Sequence, residues 1–154
     1  ALHDLAVRVG SSPGPQGAGR RRGFYRELVG ALIAYGEHEF RLLQRQSDGS
    51  PLRDHLLAAE KAGARVPELE GPPLPSCLAY LWGWFVERSS ARGGSGLGGL
   101  SPLGYQDIAA WARLRGIAPT RLELDAIRRL DDALLKSHAD GGHRGSHQHR
   151  DHRA

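Results

Sequence analysis

The 154-residue sequence predicts an all-α protein, a small bundle of four to five short helices with disordered termini. Three observations carry that expectation. Apolar residues between positions 24 and 134 recur at three- and four-residue steps, the spacing that lines one face of a helix. No stretch alternates apolar and polar residues over any length, so half-buried strands are not expected. Proline and glycine collect between the periodic stretches, where helices start and stop. A hydrophobic share of 40% beside 21 Gly and 9 Pro is lean for a chain folded throughout. That composition puts the order in the middle of the chain.

Residues 1–22 read as a disordered N-terminal segment, because Ser11, Ser12, Pro13, Gly14, Pro15, Gly17 and Gly19 break any periodicity. A helix is predicted within 23–47, with Phe24, Leu28, Ala31, Leu32, Tyr35 and Leu42 at helical spacing. Gly30 and Gly36 each cost such a helix about 1 kcal/mol relative to Ala, so it needs a packing partner. Residues 48–137 read as a helical domain. Ser50-Pro51 supplies a capping hydroxyl and a proline at the first helical position, and Gly63 a left-handed stop. Leu52, Leu56, Leu57 and Ala59 are the apolar residues of that helix. The stretch from Pro67 to Pro75 is expected to be an extended connector, since each proline disfavours the helical region in its predecessor.

The most apolar segment is 76–91. Leu78, Leu81, Trp82 and Phe85 form one stripe, with Tyr80 and Trp84 on an adjoining face, which suits a helix packed on more than one side. A Gly-rich loop follows. A fourth helix is predicted at about 105–115, with Tyr105, Ile108, Trp111 and Ala112 inward and Gly116 as its stop. Pro119 opens a fifth, whose core face is Leu122, Ala126, Ile127, Leu130, Ala133 and Leu134, with Asp131 and Asp132 mostly outside it. Residues 138–154 read as a disordered His/Arg-rich tail.

Charge narrows the function classes. Residues 1–47 carry seven Arg against four acids, 48–137 carry eleven of each sign, and 138–154 carry three Arg against two Asp. The basicity therefore sits in the flanks. A nucleic-acid domain needs a concentrated basic face, and the neutral middle argues against specific DNA or RNA binding. Arg20, Arg21 and Arg22 are the only local cluster. The single cysteine, Cys77, excludes an internal disulfide and a multi-cysteine zinc site, and the start lacks the features of a secretory signal.

No residue set supplies enzyme chemistry. Gly94, Gly96 and Gly99 match a dinucleotide-binding glycine spacing, but a helix precedes them and a Ser-Pro turn follows, where that motif needs a strand and then a helix. His138, His143, His147, His149 and His152 could take up metal opportunistically, without the fixed second partners of a structural site. Glu123, Asp125, Asp131 and Asp132 are ordinary helix carboxylates with no nucleophile beside a base. No catalytic residue, cofactor or metal is expected. Trp82 and Trp111 read as core, and Trp84 equally as core or as part of a partner-binding groove.

Residues 66–135 carry a resemblance. They run Pro67-Glu-Leu-Glu-Gly-Pro-Pro-Leu-Pro, then Leu78-Ala-Tyr-Leu-Trp-Gly-Trp-Phe, a Gly-rich loop, Leu103-Gly-Tyr-Gln-Asp-Ile-Ala-Ala-Trp-Ala-Arg-Leu, and Pro119-Thr-Arg-Leu-Glu-Leu-Asp-Ala-Ile-Arg-Arg-Leu-Asp. This resembles small proteins of siphophage and prophage tail operons assigned as tail assembly chaperones, or as the downstream partner of one. Gly104 stands where relatives often carry a capping Ser, which leaves Asp107 half of a capping box. The downstream partner in such phages is often made by ribosomal frameshifting, and the absence of methionine fits that origin or a truncated or processed product.

The resemblance implies a non-catalytic factor that binds the tape-measure protein, the tail-tube protein or both during tail morphogenesis in the bacterial host cytoplasm. Leu81, Trp84, Phe85, Tyr105, Trp111 and Leu130 are the candidates for its apolar partner-binding face or the support beneath it. The rival reading is a small helical nucleic-acid-associated or regulatory protein of a mobile element, favoured by the basic flanks and opposed by the neutral middle.

Overall fold

The computed structural model describes the backbone of residues 15–92 and 100–147, and the side chains of 23–92 and 100–141. Five α-helices occupy the described residues: α1 (Pro15–Leu42), α2 (Leu52–Lys61), α3 (Ala79–Ser90), α4 (Tyr105–Arg115) and α5 (Arg121–His147). Short 3-10 turns lie at Pro67–Leu69 and Ser76–Leu78. One isolated antiparallel bridge, Arg45 with Pro51, lies inside the turn between α1 and α2. The all-α expectation holds.

Helices α1 and α5 are the long pair. The Gln44 amide, just past the end of α1, donates to the Ser137 carbonyl oxygen at 3.0 Å, far along α5. Tyr25 and Val29 toward the middle of α1 face Leu122 and Ala126 near the start of α5. A buried Gly36 serves this packing: a Cβ there would lie 2.8 Å from a Leu130 methyl. The glycine that weakens α1 in isolation is what lets α5 approach it. Helix α3 lies against the pair, and the common core is Val29, Leu32, Phe40, Leu78, Leu81, Phe85, Ile108, Ala126, Ile127 and Leu130. Removing these side chains from water is the main driving term of the fold.

Two predicted stops are found as expected: Gly63 (φ 90°) and Gly116 (φ 64°) hold the left-handed backbone that ends α2 and α4. Other boundaries differ. Helix α1 begins at Pro15, within the stretch expected to be a tail, and α5 continues to His147, into the stretch expected to be the second tail. Each extra segment prolongs a helix already nucleated and packed, and propagation costs far less than starting anew. The expected disorder at 1–14 and 148–154, and the Gly-rich 93–99, lie outside the described residues. Ser50 does not cap α2. Its N–H is taken by Asp48 Oδ1 at 3.0 Å, and Pro51 occupies the cap position in extended conformation. The Pro67–Pro75 connector is extended only after the 3-10 turn at Pro67–Leu69. It is tied down where His38 Nε2 donates to the Glu68 carbonyl oxygen at 3.0 Å.

Helix α5 starts at Arg121, two residues after Pro119. Its start is a reciprocal capping box: Thr120 N–H donates to Glu123 Oε2 at 2.6 Å, and Glu123 N–H to Thr120 Oγ1 at 3.3 Å. The signal was present in the sequence as Thr120-x-x-Glu123.

Candidate functional site

The six residues expected to form a partner-binding face fall in three settings. Leu81, Phe85 and Leu130 are fully buried in the shared core, so they can act only as support. Trp84 and Trp111 join α3 to α4. Trp84 stands edge-on to Tyr80 (centroids 5.0 Å) and to Trp111 (5.7 Å), with Trp111 buried and Trp84 half-buried. Trp82 serves the other side of α3, against Tyr35 at 5.0 Å and Phe40 at 5.8 Å. Of the six, Tyr105 alone is exposed, at 59%.

Tyr105 is one of three large apolar residues whose spacing predicts a core position and which the fold leaves uncovered. Phe24, the tenth residue of α1, is 64% exposed and Leu122 in the first turn of α5 is 52% exposed. Tyr105 and Leu122 lie in the first turns of α4 and α5, where no further described element covers the core-facing stripe, whereas Phe24 sits more than two turns into α1.

An open groove of about 820 Å³ lies at those first turns. Tyr25 and Val29 of α1, Tyr105 of α4, and Leu122 and Ala126 of α5 line its apolar surface, with Arg26, Asp125, Arg128 and Arg129 around it. The Arg128 guanidinium carbon sits 4.7 Å from the centre of the Tyr105 ring, a cation–π contact that holds the ring at the rim. The Tyr25 hydroxyl is buried without a hydrogen-bond partner among the described residues. Burial first, then the Glu123 and Asp125 carboxylates, raise its pKa.

Beside the groove, the Tyr80 hydroxyl donates to Glu123 Oε1 at 2.7 Å and links α3 to the capping box of α5. Partial burial acts to raise the Glu123 pKa, but hydrogen bonds from Thr120 N–H, the Tyr80 hydroxyl and the Thr120 hydroxyl hold it below the ordinary value. Tyr80 is pushed up in turn, by burial first and by Glu123 second.

Sequence reasoning missed a second polar construction. Asp131, expected mostly outside the core face, is buried and forms an ion pair with Arg92. Its other oxygen accepts from Leu103 N–H at 2.8 Å, while Arg92 Nη1 donates to the Ser101 carbonyl oxygen at 3.0 Å. The pair thus ties the end of α3 and the approach to α4 onto α5. Both partners were visible as charged residues, but 39 positions of separation left no local signal for the pairing.

The remaining candidates for chemistry are scattered. Cys77 is exposed, and Asp125 and Asp132 are exposed on α5. Among the described residues no three His, Cys, Asp or Glu side chains converge on a point that could hold a metal. No described helix is long and apolar enough to cross a membrane. The side chains of Arg20 to Arg22 and of the histidines from His143 to His152 lie outside the described residues.

No curated protein and no solved structure matches the chain. A family model does, described as phage tail assembly chaperone and spanning residues 58–136. That span runs from the second half of α2 through α3 and α4 into α5, and so includes Trp84, Tyr105, Trp111, Leu122 and the Arg92–Asp131 pair. With half of its length matched to that model, the chain belongs to the phage tail assembly chaperone family.

Proposed function

We propose that the protein is a non-catalytic assembly factor. It binds the tape-measure protein, the tail-tube protein or both, in the bacterial host cytoplasm, and shields apolar surface on them until the tail assembles. The observation that carries this reading is the coincidence of family and surface. The two exposed large apolar residues that line the groove, Tyr105 and Leu122, lie inside the family span. A holding chaperone needs an apolar face that stays open to solvent in the free protein and is covered reversibly. Tyr105 and Leu122 would make that contact, Trp84 and Trp111 would hold α4 in place, and Leu81, Phe85 and Leu130 would support the face from below.

The test is co-expression with the tape-measure and tail-tube proteins of the same phage or prophage, followed by affinity capture and size exclusion. The expected result is a soluble complex with at least one of them, lost on Tyr105→Asp while the variant keeps its helical circular dichroism. Absence of any complex with either protein, from a folded chain, would overturn the reading. The outermost position of Tyr105 makes it a cleaner probe than Trp84, whose loss would also disturb the packing of α4.

A further inference from the structure

Resting on the reading that a partner is bound at the groove, we infer that its occupant is an amphipathic α-helix of another protein, with carboxylates flanking its apolar face. The groove is walled by helices, whose interior N–H and C=O groups are already paired within each helix. An extended segment entering it would bury amide groups with nothing to pair them, whereas a helix arrives with its backbone satisfied. Tyr25 and Val29 stand one turn apart on α1, as do Leu122 and Ala126 on α5. Such rows form ridges that receive side chains at three- and four-residue steps from a docked helix. From Leu122 to Arg129 the wall rises about 10 Å, which matches roughly two turns of the occupant.

Charge decides the flanks. Arg26, Arg128 and Arg129 line the groove with one acid, Asp125, while Glu123 beside it is engaged by Thr120 and Tyr80. None of the three arginines is in an ion pair among the described residues. A helix carrying Glu or Asp beside its apolar stripe meets this rim favourably, and one carrying Lys is repelled.

Three fluorescein-labelled synthetic peptides test this against the full chain by anisotropy. All share one Leu stripe at helical spacing. The first has Glu flanks, the second Lys flanks, and the third has Glu flanks with a central proline. The Glu-flanked peptide is expected to bind about tenfold tighter than the Lys-flanked one at low ionic strength, with the gap narrowing as salt rises. The proline peptide should lose binding, and Arg128→Glu with Arg129→Glu, both at exposed positions, should invert the preference. Equal binding of Glu and Lys peptides, indifference to proline, or binding of none of them overturns the inference. So does a concentration-dependent dimer abolished by Leu122→Asp, or peptide binding that appears only after removal of residues 1–14; these would make the occupant a second copy or the chain's own segment. If tail-protein capture is lost with Tyr105→Asp but unchanged in the double charge reversal, the chaperone reading stands and this one falls.

Discussion

Replacing Asp131 with Ala removes one half of a buried ion pair and leaves the other half in place. The Arg92 side chain is 3% exposed and that of Asp131 6%, so water cannot take over the lost contacts without opening the structure. Truncating one partner of such a pair costs about 3–5 kcal/mol, most of it the penalty of an uncompensated buried charge. Arg92 keeps its bonds to the Ser101 carbonyl oxygen and, at 3.3 Å, to Ser89 Oγ, which pulls the value toward the lower end. The Leu103 N–H loses its acceptor, which adds about 1 kcal/mol or more if it stays dry. The sum is about 3–5 kcal/mol, a third or more of the stability of a typical domain. It corresponds to a fall in Tm of about 10 °C at this chain length. Urea unfolding followed by tryptophan fluorescence reads the change as a shift of midpoint at constant slope. Arg92→Leu combined with Asp131→Leu should cost less than Asp131→Ala alone, because no unpaired charge remains. A loss below about 1 kcal/mol for Asp131→Ala would mean that the pair is solvated, since that is the worth of a surface ion pair.

Gly71→Ala would set a Cβ 2.3 Å from His38 Nδ1, with two further ring atoms within 2.7 Å. It should destabilise by about 1–3 kcal/mol in urea unfolding, with most of the loss relieved in His38→Ala, Gly71→Ala. Trp84→Ala removes two edge-on aromatic contacts, one to Tyr80 within α3 and one to Trp111 that joins α3 to α4. It should cost about 2–4 kcal/mol, and amide exchange should speed up in α4 before the α1–α5 pair. The lowered Glu123 pKa makes its contribution to stability fully present above the unfolded-state value near 4.5 and lost as pH falls through the lower folded-state value. The stability difference between the wild type and Glu123→Gln should therefore be constant above about pH 5.5 and shrink on acidification. A difference that grows below that pH would reverse the sign argued here.

Much of the local structure is legible in the sequence because its causes are local. The left-handed stops at Gly63 and Gly116, the period of α3, and the extent of α4 depend on residues within a turn or two of each other. The capping box at Thr120 and Glu123 belongs with them, legible though unread. Helix ends are less so. The starts and ends of α1 and α5 depend on whether packing carries the helix past its glycines, and packing is not a local property.

The candidate site divides the same way. Spacing assigned Phe24, Tyr105 and Leu122 to core-facing stripes, and the stripes are real: the next residues along them, Leu28, Ile108 and Ala126, pack against or within the core. Periodicity specifies which side of a helix is apolar, but not how far along that side a neighbour extends. Local patterning is enough for an all-α chain, the order of its helices, and which faces turn inward. Three features come from packing alone: among the described residues nothing covers Tyr105 and Leu122 at the starts of α4 and α5, Gly36 admits α5 against α1, and Asp131 is enclosed with Arg92. Each of these depends on residues tens of positions apart meeting in space, and a burial pattern written at helical period carries no record of which distant partner fills it.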